Sequence, residues 1–115
     1  MPRPTRDEMP AFYLSALEMD LLTLLFGRGL YSVEIEKALK EVCGRQQRFG
    51  SLYPTLRSMV KRGLLSARWG DEESEELSGP RRRYYTTTGL GARALQETDL
   101  RHQSLKGWTL VPEGG

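Results

Sequence analysis

Leu52-Tyr53-Pro54-Thr55-Leu56-Arg57-Ser58-Met59-Val60-Lys61-Arg62-Gly63-Leu64-Leu65 is the stretch that decides the fold. At 100° per residue Leu52, Leu56, Met59 and Val60 fall on one side of a helix. Pro54, Arg57, Ser58 and Lys61 point the other way, with Ser51 and Arg62 at the margins. This outer face is cationic and carries no carboxylate that would repel a phosphate. Gly63 ends the helix, and Leu65, Ala67 and Trp69 then alternate with Ser66 and Arg68, the period of a half-buried strand. A return strand over 82–87, rich in aromatic and β-branched residues, makes a hairpin with Arg81-Arg82-Arg83 at its entry. A short cationic helix followed by a basic hairpin is the pattern of a winged helix-turn-helix, whose third helix suits a DNA major groove.

Upstream, Leu14, Leu17, Leu21 and Leu24/Leu25 predict a first helix over about 10–26, closed by Gly27-Arg28-Gly29. Ser32 is the expected N-cap of a second helix, with Glu34 and Glu36 in its first turn. Ile35, Ala38, Leu39 and Val42 form its buried stripe, and Gly44 closes it. Arg45-Gln46-Gln47-Arg48 is a short basic linker, and the third helix begins near Gly50 or Ser51. Pro54 is tolerated there because first-turn amides have no intrahelical acceptor. Thr88 caps a fourth helix carrying Leu90, Ala94 and Leu95 to about Thr98 or further. The fold class is therefore mostly α with a small β-hairpin, in the order ααα-ββ-α. A mobile N-terminal arm is expected over 1–10, the winged-helix domain over 11–98, and a short dimerisation or interaction segment over 99–115.

The 115 residues fit one domain, and 38% hydrophobic residues suffice for a small core that a dimer would extend. Net charge is only +2, but its distribution is uneven. Arg45, Arg48, Arg57, Lys61, Arg62 and Arg68 stand in a stretch without any acid, and five acids then fall within 71–76. A stripe, rather than the whole surface, is arranged to meet an anion. The N-terminal residues lack a secretory pattern, and the longest apolar run is far short of the ~20 residues that span a bilayer. A cytoplasmic, nucleoid-associated protein with no membrane partner is expected. Cys43 cannot form an intramolecular disulfide and reads as an inert packed thiol. With His102 the only histidine, no metal-ligand spacing, nucleophile–base pair or phosphate loop exists. The sequence thus argues against a metal, a cofactor and catalysis.

Among candidate contacts, Arg57 has the length for a bidentate reading of guanine, and Thr55 and Ser58 can hydrogen-bond bases. Arg81, Arg82 and Arg83 alternate sides of their strand, so one or two at most face a duplex; their competing role is to neutralise the acidic tip. Tyr84 and Tyr85 should divide, one beneath the wing and one exposed. Trp69 reads as core. Phe12 and Tyr13, with Leu100, Leu105 and Trp108, are candidate dimer contacts, and Trp108 is equally a candidate small-molecule contact.

Leu52-Tyr53-Pro54-Thr55-Leu56, Gly63-Leu64-Leu65, Trp69, Gly79-Pro80, Arg83-Tyr84-Tyr85 and Thr88-Gly89-Leu90-Gly91 together resemble the PadR-like transcriptional regulators, over about 14–95. The resemblance implies a homodimeric repressor that offers its third helix to the major groove of a promoter operator and its hairpin to the backbone. It implies that Tyr53 touches backbone phosphate. The candidate DNA-binding set is then Arg48, Ser51, Tyr53, Pro54, Thr55, Arg57, Ser58, Lys61, Arg81, Arg82 and Arg83. Three features depart from the family pattern. The wing tip over 71–78 is longer and more acidic, Thr87 stands where leucine commonly precedes the threonine, and only about seventeen residues follow Thr98. The short C-terminus is similar to clock-associated members of the family, which implies circadian clock genes among the targets. An effector-gated regulator that binds an aromatic small molecule, or a winged helix that docks another protein, are the alternative readings.

Overall fold

The computed structural model describes residues 13–44, 49–70 and 82–110. The elements are α1 (Ala16–Leu24), β1 (Leu30–Tyr31), α2 (Ser32–Cys43), α3 (Phe49–Lys61), β2 (Leu65–Trp69), β3 (Arg83–Thr87) and α4 (Gly89–Gly107). The arm over 1–10, Phe12, the linker arginines Arg45 and Arg48, Arg81 and the acidic tip lie outside the described residues.

α1 begins later than the leucine spacing suggests. Ser15 is its N-cap: the Ser15 hydroxyl accepts from the Glu18 amide at 3.1 Å, and the Glu18 carboxylate accepts from the Ser15 amide at 2.8 Å. This reciprocal box satisfies two amides that have no helical acceptor. Leu21, Leu22 and Leu25 are fully buried, whereas Leu14, Leu17 and Leu24 are only half-covered.

α2 starts at Ser32, so Ser32 is its first helical residue rather than its cap. The Glu34 carboxylate instead accepts from the Tyr31 amide at 3.2 Å, and the Ser32 hydroxyl is spent on Tyr53. Gly44 does close the helix, at φ 63°. Ile35 and Leu39 are buried, but Val42 is 83% exposed and Cys43 is exposed too. The last turn of α2 runs beyond the core, so the apolar stripe ends a turn early and the thiol is not packed.

α3 begins at Phe49, earlier than expected, and Pro54 is therefore its sixth residue, inside the helix. Proline there leaves the Gly50 carbonyl without its usual helical donor. Pro54 is exposed, so water can reach that part of the helix. Leu52, Leu56 and Met59 are fully buried and fix which face is inward. Each contributes on the order of 1.5–3 kcal/mol by leaving water. At the C-terminus Gly63 has φ 79°. Its amide donates to the Val60 carbonyl at 3.0 Å and the Leu64 amide to the Met59 carbonyl at 2.9 Å. This is a Schellman stop, with buried Leu64 as its apolar closure.

The sheet has three strands in the order β1-β3-β2, all antiparallel. The hairpin pairs Leu65 with Thr87 through to Trp69 with Arg83, as the sequence predicts. The third strand, β1, is two residues long and pairs Leu30 with Tyr85 and Tyr31 with Tyr84; no alternation can announce so short a strand. Thr87 donates its amide to the Leu25 carbonyl at 3.0 Å and its hydroxyl to the Leu22 carbonyl at 2.9 Å. A threonine at this position thus caps the orphan carbonyls of α1.

Thr88 caps α4 as expected: its hydroxyl accepts from the Gly91 amide at 3.0 Å. The helix runs unbroken to Gly107. Gly91, Ala94 and Thr98 are buried against the domain, and from Asp99 to Leu110 only Arg101 is not exposed.

Candidate nucleic-acid interface

The buried Leu52–Leu56–Met59 stripe turns the opposite face of α3 to solvent. Ser51, Tyr53, Pro54, Arg57, Ser58 and Lys61 are all exposed there. Thr55 is half-buried, and its hydroxyl donates to the Ser51 carbonyl at 2.8 Å, so it is less available to a base than Ser58. Arg62, at the margin, pairs with the Glu18 carboxylate of α1. That pair ties the end of α3 to α1 and takes Arg62 off the free cationic face. Arg57 and Lys61 form no ion pair among the described residues.

Tyr53 is held from two sides. Its ring is 39% exposed on α3, and its hydroxyl lies 2.7 Å from the Ser32 hydroxyl at the start of α2. The pair sets the start of α2 beside α3. Two exposed hydroxyls and the first-turn amides of a helix make a surface suited to phosphate.

The wing contributes from the other side. Arg82, just before β3, is half-buried, and Arg83, its first residue, is exposed. The Arg82 guanidinium lies 4.6 Å from the centre of the Tyr31 ring, and Arg83 lies 5.8 Å from Trp69 and 5.7 Å from Tyr85. Arg68 sits 5.6 Å from Tyr84. Tyr85 is the packed tyrosine, only 6% exposed beneath the wing, but Tyr84 is half-buried rather than exposed, because it stands edge-on to Tyr31 at 5.6 Å. Trp69, expected in the core, is 58% exposed. β2 runs past the end of the core into the wing, where Trp69 pairs with Arg83.

Between α3 and the wing root these groups enclose an open cavity of about 510 Å³. Arg57, Arg82 and Arg83 supply its cations, Trp69 and three tyrosines its rings, and Ser32 a hydroxyl. None of the described lining residues is acidic. The structure therefore brings together Tyr53, Arg57, Arg82 and Arg83 from the candidate set, with Ser51, Ser58 and Lys61 continuing the same helix face. Arg48 and Arg81 fall outside the described residues. Sequence reasoning missed Tyr31, Ser32 and Trp69 as parts of this surface. Pairing of β1 with β3 delivers the first two, and no signal in the sequence marks it.

Of the candidate dimer contacts, Tyr13 is 62% exposed under the Arg101 guanidinium, 4.7 Å from its ring centre. Leu100, Leu105 and Trp108 are 52%, 67% and 67% exposed. Phe12 lies outside the described residues. No group of metal-binding side chains occurs among the described residues, and no described helix is long and apolar enough to cross a membrane.

Three helices, a three-stranded antiparallel sheet and a cationic face on the third helix define a winged-helix domain. The profile of the PadR-like transcriptional regulators matches residues 21–97, and the chain belongs to that family. It is 34% identical to a PadR-like transcription factor from Bacteroides fragilis, with a TM-score of 0.68 over 78% of this chain and 82% of that one. A PadR family regulator from Eggerthella lenta is 30% identical, with a TM-score of 0.62 over 78% and 70%. RosR from H. salinarum is 27% identical, with a TM-score of 0.63 over 88% and 84%. No curated protein matches the sequence. The chain is thus a DNA-binding transcriptional regulator of the winged-helix class.

Proposed function

We propose that the chain is a cytoplasmic, nucleoid-associated repressor that occupies a promoter operator as a homodimer. One observation carries the reading: α3 exposes Ser51, Tyr53, Arg57, Ser58 and Lys61 without a carboxylate, directly beside the wing-root arginines. Arg57 and Ser58 read base edges, and Tyr53, Lys61, Arg82 and Arg83 meet phosphates, joined by Arg48. Exposure of Leu100, Leu105 and Trp108 on and just after the distal half of α4, with Tyr13 near its middle, supports a second copy as the occupant of that surface. Two α3 helices then dock in successive major grooves ~34–36 Å apart, so the operator is an inverted repeat.

The test is a gel-shift titration of the chain against its own promoter, followed by promoters of clock genes, at two salt concentrations with excess competitor DNA. A discrete band that survives competitor supports the operator reading. If each protomer neutralises ~3–4 phosphates, log K against log[salt] should fall with a slope of about −5 to −7. A smear removed by competitor would overturn it in favour of a winged helix that docks an acidic protein partner.

A further inference from the structure

The cavity between α3 and the wing root has more chemistry than a duplex uses. A DNA duplex docked over it would engage Arg57 through a base edge and Arg82 and Arg83 through phosphates. The bases of a duplex are stacked on one another, so they leave the aromatic lining without a planar partner. Yet the Trp69 indole, with Arg83 5.8 Å from its centre, remains 58% exposed at this edge. Rings interleaved with guanidinium groups are the arrangement that binds an unstacked base together with its phosphate.

We propose that this cavity is a binding site for a free nucleoside 5′-phosphate, and that its occupancy excludes duplex DNA. The base stacks on Trp69, the phosphates lie against Arg57 and Arg83, and the Ser32–Tyr53 hydroxyl pair faces the sugar edge. A volume of about 510 Å³ is ample for such a ligand, within the ~300–1,000 Å³ usual for small-molecule sites. Several guanidinium groups and no acid among the described lining residues favour a polyanion over a singly charged aromatic acid. The exclusion rests on the operator reading above, because Arg57 and the wing arginines serve both ligands; the site itself does not.

ATP is the probe, titrated calorimetrically into the full chain and followed by tryptophan fluorescence in a Trp108→Phe background, where Trp69 is the only indole. Saturable binding with quenching of Trp69 is expected. Stacking should make ATP about tenfold tighter than tripolyphosphate, which offers charge without a ring. Trp69→Leu, read by calorimetry, should remove that advantage and leave tripolyphosphate unchanged, whereas Arg83→Ala should weaken both. ATP binding no tighter than tripolyphosphate, or benzoate binding as tightly as ATP, would overturn the site. Added ATP should raise the apparent Kd for operator duplex, and simultaneous binding of both would overturn the exclusion. A chain that binds ATP but no duplex sinks the operator reading alone; one that shifts its operator but ignores ATP sinks this site alone.

Discussion

Replacing Gly91 by alanine would place a methyl carbon 2.2 Å from the Leu64 carbonyl oxygen, 2.9 Å from Leu22 Cδ2 and 3.0 Å from Thr87 Cγ2. The two side-chain contacts can yield by small rotations, but the carbonyl cannot. It already accepts from the Thr88 amide at 3.1 Å and the Thr88 hydroxyl at 3.1 Å, and Leu64 itself is locked by the Schellman stop of α3. Relief requires α4 to back away from the α3–β2 junction, opening the packing of Leu22 and Ala94. Overpacking costs roughly 1–3 kcal/mol where side chains alone must adjust, and more where backbone must move. The intrinsic helix preference for alanine returns only about 1 kcal/mol. We expect Gly91→Ala to lose about 3 kcal/mol net, a drop of roughly 10–20 °C in Tm for a domain of this size. Gly89→Ala is the control, since no atom lies within 4 Å of a Cβ built there; it should stay within about 1 kcal/mol of the unaltered chain. Guanidinium denaturation followed by circular dichroism, at one fixed protein concentration, reads both. Gly91→Ala losing less than about 1 kcal/mol would refute the argument that this glycine is required for close approach.

Thr88→Ala removes the α4 cap together with the hydroxyl contact to the Gly63 carbonyl at 2.6 Å; a loss of about 1–2 kcal/mol is expected in the same denaturation assay. On the DNA face, Arg57→Ala should weaken operator binding by about tenfold or more and non-specific binding far less, as a lost base contact does. Lys61→Ala should weaken both alike and make the salt slope shallower by about 1. Paired gel-shift titrations on operator and scrambled duplex decide between the two patterns, and the reverse assignment would overturn ours. On the proposed dimer surface, Leu105→Glu should leave the fold intact, because the side chain is 67% exposed in the isolated chain. It should shift sedimentation toward the monomer; unchanged mass would move the interface elsewhere.

What the sequence alone determined is local in its physics. Gly63 after an amphipathic run, Thr88 before Gly91, and Arg83 to Thr87 facing Leu65 to Trp69 are each settled by one turn's hydrogen bonds or by strand period. So is the choice of inward and outward faces on α3, since Leu52, Leu56 and Met59 can share only one side of a helix. Tertiary structure decided the rest, because periodicity names a face and not what covers it. Val42 and Trp69 lie on the apolar sides of α2 and β2, yet each extends past the core and stays in solvent. Pro54 proved compatible with a helix that begins at Phe49, on the exposed side of α3. The assembled face depended most on long-range contacts. Two-residue β1 pairs with β3 more than fifty positions away, carries Tyr31 to Arg82, and leaves Ser32 to meet the Tyr53 hydroxyl. Neither contact has a neighbour in sequence to announce it, and both exist only once the core has closed.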